Sequence, residues 1–244
     1  MSGHVATLEI CRPPHNFFDY DLIAGLADAF EYLDTQADCR AIVLASRGKS
    51  FCAGADFSPE TNAKHSPQLL YREALRLFRT RKPVVAAVQG AAIGGGLGLS
   101  LVGDFRVTCD EARFAANFTK LGFHPGFGLS VTLPRLIGIQ QATLLMLTGR
   151  RLSGTDALAI GLADVLVEHG SVLAAAQELA VELAANAPLA VMSTRQTLRG
   201  TLADDIQLAM VREGSEQELH WRTSDFKEGV AATAQKRAAR FTGS

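Results

Sequence analysis

Cysteine is scarce: Cys11, Cys39, Cys52 and Cys109 are the only four in 244 residues, and no CxxC pair occurs. That spacing argues against a disulfide framework or a zinc site and leaves reduced, cytosolic thiols as the expectation. An excess of one charge is lacking too, since 24 Lys and Arg stand against 25 Asp and Glu without a dense basic run. A nucleic-acid-binding role, which needs a basic stripe, is set aside on that ground. No apolar run reaches the roughly 18 residues of a membrane span. The N-terminal "MSGHVATLEICRPP" shows no basic segment followed by an apolar one, so no signal peptide is expected. What is present is a hydrophobic content of 48%, enough for a large core in one domain or in a domain with an appendage. The expectation is a soluble cytoplasmic protein that holds no metal.

Short apolar runs mark the strands. Val5 to Ile10 alternates as a half-buried strand does, and "RPPH" breaks it. "AIVLA" (Ala41 to Ala45), "VVAAV" (Val84 to Val88) and Phe105 to Thr108 read as buried strands. Asn16 is placed to cap a helix whose Phe18, Leu22, Leu26, Phe30 and Leu33 recur every three or four positions. Gln68 to Thr80 reads as a second helix, stopped before Pro83. Buried strands alternating with helices predict an α/β fold with a mainly parallel sheet layered by helices. From Gln140 onward only helical patterns appear: Gln140–Thr148, Ser171–Asn186, Leu189–Leu198, Asp204–Trp221 and Phe226–Phe241. Such a string either covers its own core or serves assembly.

The stretch "GAAIGGGLGLSLVGDF", Gly90 to Phe105, puts three consecutive glycines ahead of an apolar run. Glycine inside a helix costs about 1 kcal/mol relative to alanine, so the backbone itself must approach something there. A P-loop requires a Lys after the glycines, and a dinucleotide fingerprint requires GxGxxG near the first strand; both fit poorly. What remains is a set of free N–H groups at a helix start, suited to an oxyanion. "FCAGADF", Phe51 to Phe57, again follows a buried strand with small residues and offers a second such N–H.

Taken in order, "SFCAGADF", "KPVVAAVQGAAIGGGLGLSLVGDF" and "ARFAANFTKLGFHPGFG" resemble the crotonase superfamily, the enoyl-CoA hydratase/isomerase family. The resemblance runs from the first strand to the C-terminal helices. It implies a crotonase-like ββα spiral core over residues 1–186 with the acyl-CoA site. Residues 187–244 would then form a helical oligomerisation region building homotrimers, often paired into hexamers. Acyl-CoA thioesters are the implied substrates, coenzyme A being part of the substrate and no separate cofactor being needed. The N–H groups of Ala55 and Gly95 match the two oxyanion-hole donors. The loop around Pro14, His15 and Asn16 matches a segment lining the CoA site, and Ala53 to Phe57, Asp56 included, would border adenine and pantetheine. Lys236 falls where the family often supplies a phosphate-binding Lys from a neighbouring subunit; the alternative is a solvated helix face.

Two departures from the family pattern follow. Typical hydratases carry one Glu three positions after the middle glycine and another in a "PE" pair, which together move a proton between water and Cα. Here those positions are Gly98 and Phe118, and the aspartate that some isomerases and dehalogenases place eight residues later falls on Gly126. His124 is the candidate replacement, since imidazole with a pKa of about 6.5 suits proton transfer at neutral pH. The alternative is a His that packs or bonds to backbone beside Pro125. Asn117, Thr119 and Ser100 can donate hydrogen bonds only; His65 reads as a loop residue, Cys52 lacks a histidine partner for nucleophilic work, and His220 reads as interface packing. Three functions stay open: an enoyl-CoA hydratase or isomerase using replacement groups, a decarboxylase of an acyl thioester, and a catalytically silent acyl-CoA-binding subunit.

Overall fold

The computed structural model describes residues 3–56 and 66–244. Strand β1 (Val5–Ile10) leads through helix α1 (Tyr20–Thr35) to β2 (Ala41–Ser46), and a tight turn gives β3 (Ser50–Cys52). Helix α2 (Pro67–Phe78) leads to β4 (Val84–Val88) and β5 (Ala91–Ile93); helix α3 (Gly95–Ser100) leads to β6 (Phe105–Thr108) and β7 (Arg113–Ala115). After β1 and α1, each turn of the chain gives one strand to each of two sheets before a helix begins the next turn, a ββα spiral. In the larger sheet β1, β2, β4 and β6 lie side by side, all parallel, with registers such as Val5 on Ala41, Ile42 on Val84 and Val85 on Phe105. The smaller sheet runs β3-β5-β7, also parallel.

The continuous apolar runs reflect burial on both faces: Ile42, Val43, Leu44, Val84 and Val85 have no exposed surface. Helix α1 turns Ile23, Ala27 and Phe30 inward. Its cap is Asp19, whose side chain accepts from Leu22 N–H at 2.9 Å, and not Asn16. A capping oxygen must reach the N–H groups of the first turn, and Asn16 lies too far upstream to do so.

Beyond β7 the chain forms α4 (Leu129–Thr148), bent at Gly138 (φ 77°), then α5 (Gly154–Ala159) with a Ser153–Asp156 capping box. Strand β8 (Val165–Leu166) then pairs with β6 and completes the larger sheet. The expectation of helices alone after Gln140 is therefore corrected; two strand residues are too few to show a period in sequence. Helix α6 (Val172–Ala185) buries Ala176, Ala180 and Ala184 at every fourth position, and these small side chains let it lie closely on β2 and β4. Helices α7 (Pro188–Arg199), α8 (Leu202–His220) and α9 (Ser224–Ala234) follow. The last is shorter than its sequence pattern, because the chain turns at Lys236 (φ 53°) and folds back so that Thr242 and Gly243 N–H bind Asp225. Asp104 ties α7 to the sheet, accepting from Arg195 Nε at 2.7 Å, Arg199 Nε at 3.0 Å and Val84 N–H at 2.9 Å. No helix among the described residues is long and apolar enough to cross a membrane.

Candidate active site

Two backbone segments meet at the smaller sheet. Gly94 opens α3 with φ 57° and gives its own N–H to Ala115 O at 2.8 Å. Gly95 is the first helical residue, so its N–H has no carbonyl four residues back, and it finds no other acceptor among the described residues. Helix α3 approaches the neighbouring strand very closely: a Cβ on Gly96 would lie 2.0 Å from the Cys52 carbonyl oxygen. That contact brings the helix start beside the loop leaving β3. There Phe18 N–H binds Gly54 O at 3.0 Å, and Phe18 and Ala55 form an isolated parallel bridge. In such a bridge Ala55 turns its own N–H away from its partner, and that group has no acceptor among the described residues. Two unclaimed N–H groups on adjoining loops are an arrangement that can receive one carbonyl oxygen.

Aromatic rings surround this wall. Phe127, 1% exposed, sits over Gly98: a Cβ there would lie 2.8 Å from Phe127 Cβ and 2.9 Å from Cδ1. Phe18 stands 5.5 Å from Phe127 and Phe78 6.3 Å, centroid to centroid. Phe118 opens a 3₁₀ turn (Phe118–Leu121) and packs edge-on against Phe123 at 5.2 Å. At Gly126 a Cβ would fall 1.8 Å from the Tyr71 hydroxyl and 2.4 Å from Gln217 Nε2. Tyr71 donates to Gln217 Oε1 at 2.7 Å, and Gln217 Nε2 donates to the His124 carbonyl at 2.9 Å. Positions 98, 118 and 126 thus carry no carboxylate, and aromatic or phenolic groups fill the space around them.

The model of the family described as enoyl-CoA hydratase/isomerase matches residues 1–244. The chain belongs to the enoyl-CoA hydratase/isomerase family. It is 33% identical to a short-chain-enoyl-CoA hydratase of Clostridium acetobutylicum, covering 96% of this chain and 93% of that one. It is 31% identical to the 1,2-epoxyphenylacetyl-CoA isomerase of Escherichia coli K12, covering 98% and 95%. The crystal structure of an enoyl-CoA hydratase/isomerase from Pseudoalteromonas atlantica matches with a TM-score of 0.90 and 34% identity, over 99% of this chain and 98% of that one. The crotonase fold expected from the sequence is therefore the fold observed. This enoyl-CoA hydratase/isomerase family chain resembles both hydratases and isomerases, so its exact reaction turns on its own site residues.

The remaining sequence candidates fall in three places. His15, Asn16 and Ala53 share one loop pair, since Ala53 N–H binds His15 O at 3.0 Å. The Asn16 side chain is fully buried and locks that loop, accepting from Arg12 N–H and donating to Arg47 O and Ser50 O. Asp56 follows on the same loop, half-buried, and Phe57 and His65 lie outside the described residues. Lys236 is exposed in the turn after α9, not on a helix face, and makes no side-chain hydrogen bond to the described residues. Cys52 is buried, and desolvation pushes its thiol up to about 12, so it is no thiolate at neutral pH.

His124 is half-buried, with Nδ1 2.7 Å from Pro125 O. A carbonyl only accepts, so Nδ1 is the donor in that hydrogen bond. Its ring lies parallel to that of His220, centroids 6.5 Å apart. Beside it stands a carboxylate the sequence did not single out. Glu213 is 1% exposed and accepts from Gly128 N–H, Ser130 N–H and Ser130 Oγ. Burial pushes its carboxyl up, while those donors and His124 pull it down. Tyr71, Phe127, Glu213 and Gln217 were all missed in sequence, because each lies within an ordinary helical or loop pattern and only the packing brings them together.

Proposed function

We propose that this protein is an acyl-CoA thioester enzyme that stabilises an enolate in a backbone oxyanion hole formed by the N–H groups of Ala55 and Gly95. The observation that carries this is the pair of unclaimed N–H groups on adjoining loops, walled by Phe18 and Phe127. In a dry apolar site, donors aimed at the thioester oxygen act on charge that water would otherwise screen. His15, Ala53, Asp56 and Phe57 would line the coenzyme A path, with Asn16 holding the loop. Coenzyme A enters as part of the substrate. His124, through Nε2, is the group proposed to carry a proton to or from the acyl chain.

Exposed apolar side chains support an assembly through the C-terminal helical region, residues 187–244, and the outer face of α4. Ile139 and Leu147 on α4, Leu189 on α7 and Leu208 on α8 are each at least 70% exposed. A homotrimer or a hexamer of paired trimers would cover them and present Lys236 to a neighbouring subunit's ligand phosphates.

Ala55→Pro deletes the Ala55 N–H donor, and a thermal melt checks that the fold is kept. The expected result is a fall in kcat of about 10²–10³-fold with coenzyme A binding retained; wild-type kcat would remove Ala55 from the mechanism. His124→Ala is expected to lower kcat by about 10²–10⁴-fold without loss of fold, as removal of a general acid or base does. A near-normal rate would assign His124 to its backbone hydrogen bond alone.

A second function has its own supporting observation. The aromatic surroundings of Gly98 and Phe118 desolvate a bound group, which favours loss of CO2 from an acyl thioester, leaving the enolate for the same two donors. Loss of enoyl absorbance from crotonyl-CoA and CO2 release from malonyl-type and glutaconyl-type thioesters separate the two. Coenzyme A binding with neither activity across a broad thioester panel would instead mark a silent binding subunit.

A further inference from the structure

We infer that Phe127 sets the length of the acyl group, closing this site to all but short acyl thioesters; the inference rests on the acyl-thioester function proposed above. If the thioester oxygen sits on Ala55 and Gly95 N–H, the acyl chain must leave from beside the start of α3. On a helix, residues three apart share a face, so Gly98 continues the surface that Gly95 begins. That surface is occupied. Phe18 lies so close that a Cβ on Gly95 would be 2.4 Å from its Cζ, and Phe127 covers Gly98.

The Phe127 ring is also held where it is. Its φ of 62° is a left-handed conformation that a bulky side chain rarely adopts, and it persists only where surroundings impose it. On one side Gly126 is packed against the Tyr71 hydroxyl and Gln217. On the other, Gly128 N–H is held by Glu213 at 2.8 Å. Phe18 and Phe78 flank the ring, which is 1% exposed, so it cannot swing aside without displacing two other aromatic side chains. A strained, buried aromatic residue aimed at the helix face beyond the two donors acts as a fixed end wall.

The test measures binding of coenzyme A, acetyl-CoA, butyryl-CoA and octanoyl-CoA by titration calorimetry to wild type, Phe127→Ala and Phe127→Leu, each checked by a thermal melt. Wild type is expected to bind butyryl-CoA more tightly than octanoyl-CoA. Phe127→Ala is expected to raise octanoyl-CoA affinity by about tenfold or more, because the added methylenes then leave water, with coenzyme A affinity unchanged. Phe127→Leu is expected to shift the preference in the same direction by less, and it carries the test if the alanine variant does not fold. Wild type preferring octanoyl-CoA, or folded variants with an unaltered chain-length profile, would overturn the inference while leaving the acyl-thioester function standing. Failure of wild type to bind coenzyme A or any of its thioesters would overturn that function, and the wall with it.

Discussion

Gly98→Glu is expected to destabilise the protein by about 3–5 kcal/mol and to add no crotonyl-CoA hydration beyond the wild-type rate. The first atom of any side chain at 98 would sit 2.8–3.0 Å from three atoms of Phe127, which forces the ring or the helix to shift. The carboxylate would then be packed against the Phe127 side chain, where burial disfavours its charged form. For a chain of this size such a loss lowers Tm by about 10 °C. Pairing the change with Phe127→Ala removes the collision, and the double variant is expected to be more stable than the sum of the two single losses. Unfolding in urea and the enoyl absorbance assay measure both. A Gly98→Glu protein with wild-type stability and new hydration activity would show that Phe127 does not occupy that space.

Asp104→Ala is expected to cost about 3–5 kcal/mol, the usual loss when one partner of a buried ion pair is removed. Among the described residues Asp104 is the sole carboxylate paired with two guanidinium groups of α7, Arg195 and Arg199, whose side chains are 9% and 15% exposed. Without it both charges remain buried, and Val84 N–H also loses its acceptor. Asp104→Asn keeps an acceptor oxygen without the charge and should lose less. Equilibrium unfolding decides the matter: a change below about 1 kcal/mol would mean that α7 moves outward and hydrates its arginines.

Much of the core could be read directly along the chain. "AIVLA" and "VVAAV" announce strands buried on both faces, and both are found fully buried in the larger sheet. The α1 pattern was right in period and wrong in cap, because several polar residues precede the helix and only geometry selects Asp19. Strand β8 escaped notice for the opposite reason, having only two residues and drawing its structure from pairing with β6.

The site divides along the same line. Sequence alone determined that at the glycines 94 to 96 the backbone itself must approach something, and that positions 98, 118 and 126 carry no carboxylate, since residue identity and small size are local properties. Only the tertiary structure decided what fills the space those residues leave. Phe127 comes to lie over Gly98, the Tyr71 hydroxyl comes to lie against Gly126, and Glu213 on α8 comes to hold the loop at Gly128 and Ser130. Each of these contacts joins segments far apart in the chain, where close packing selects the partner and no local period records it.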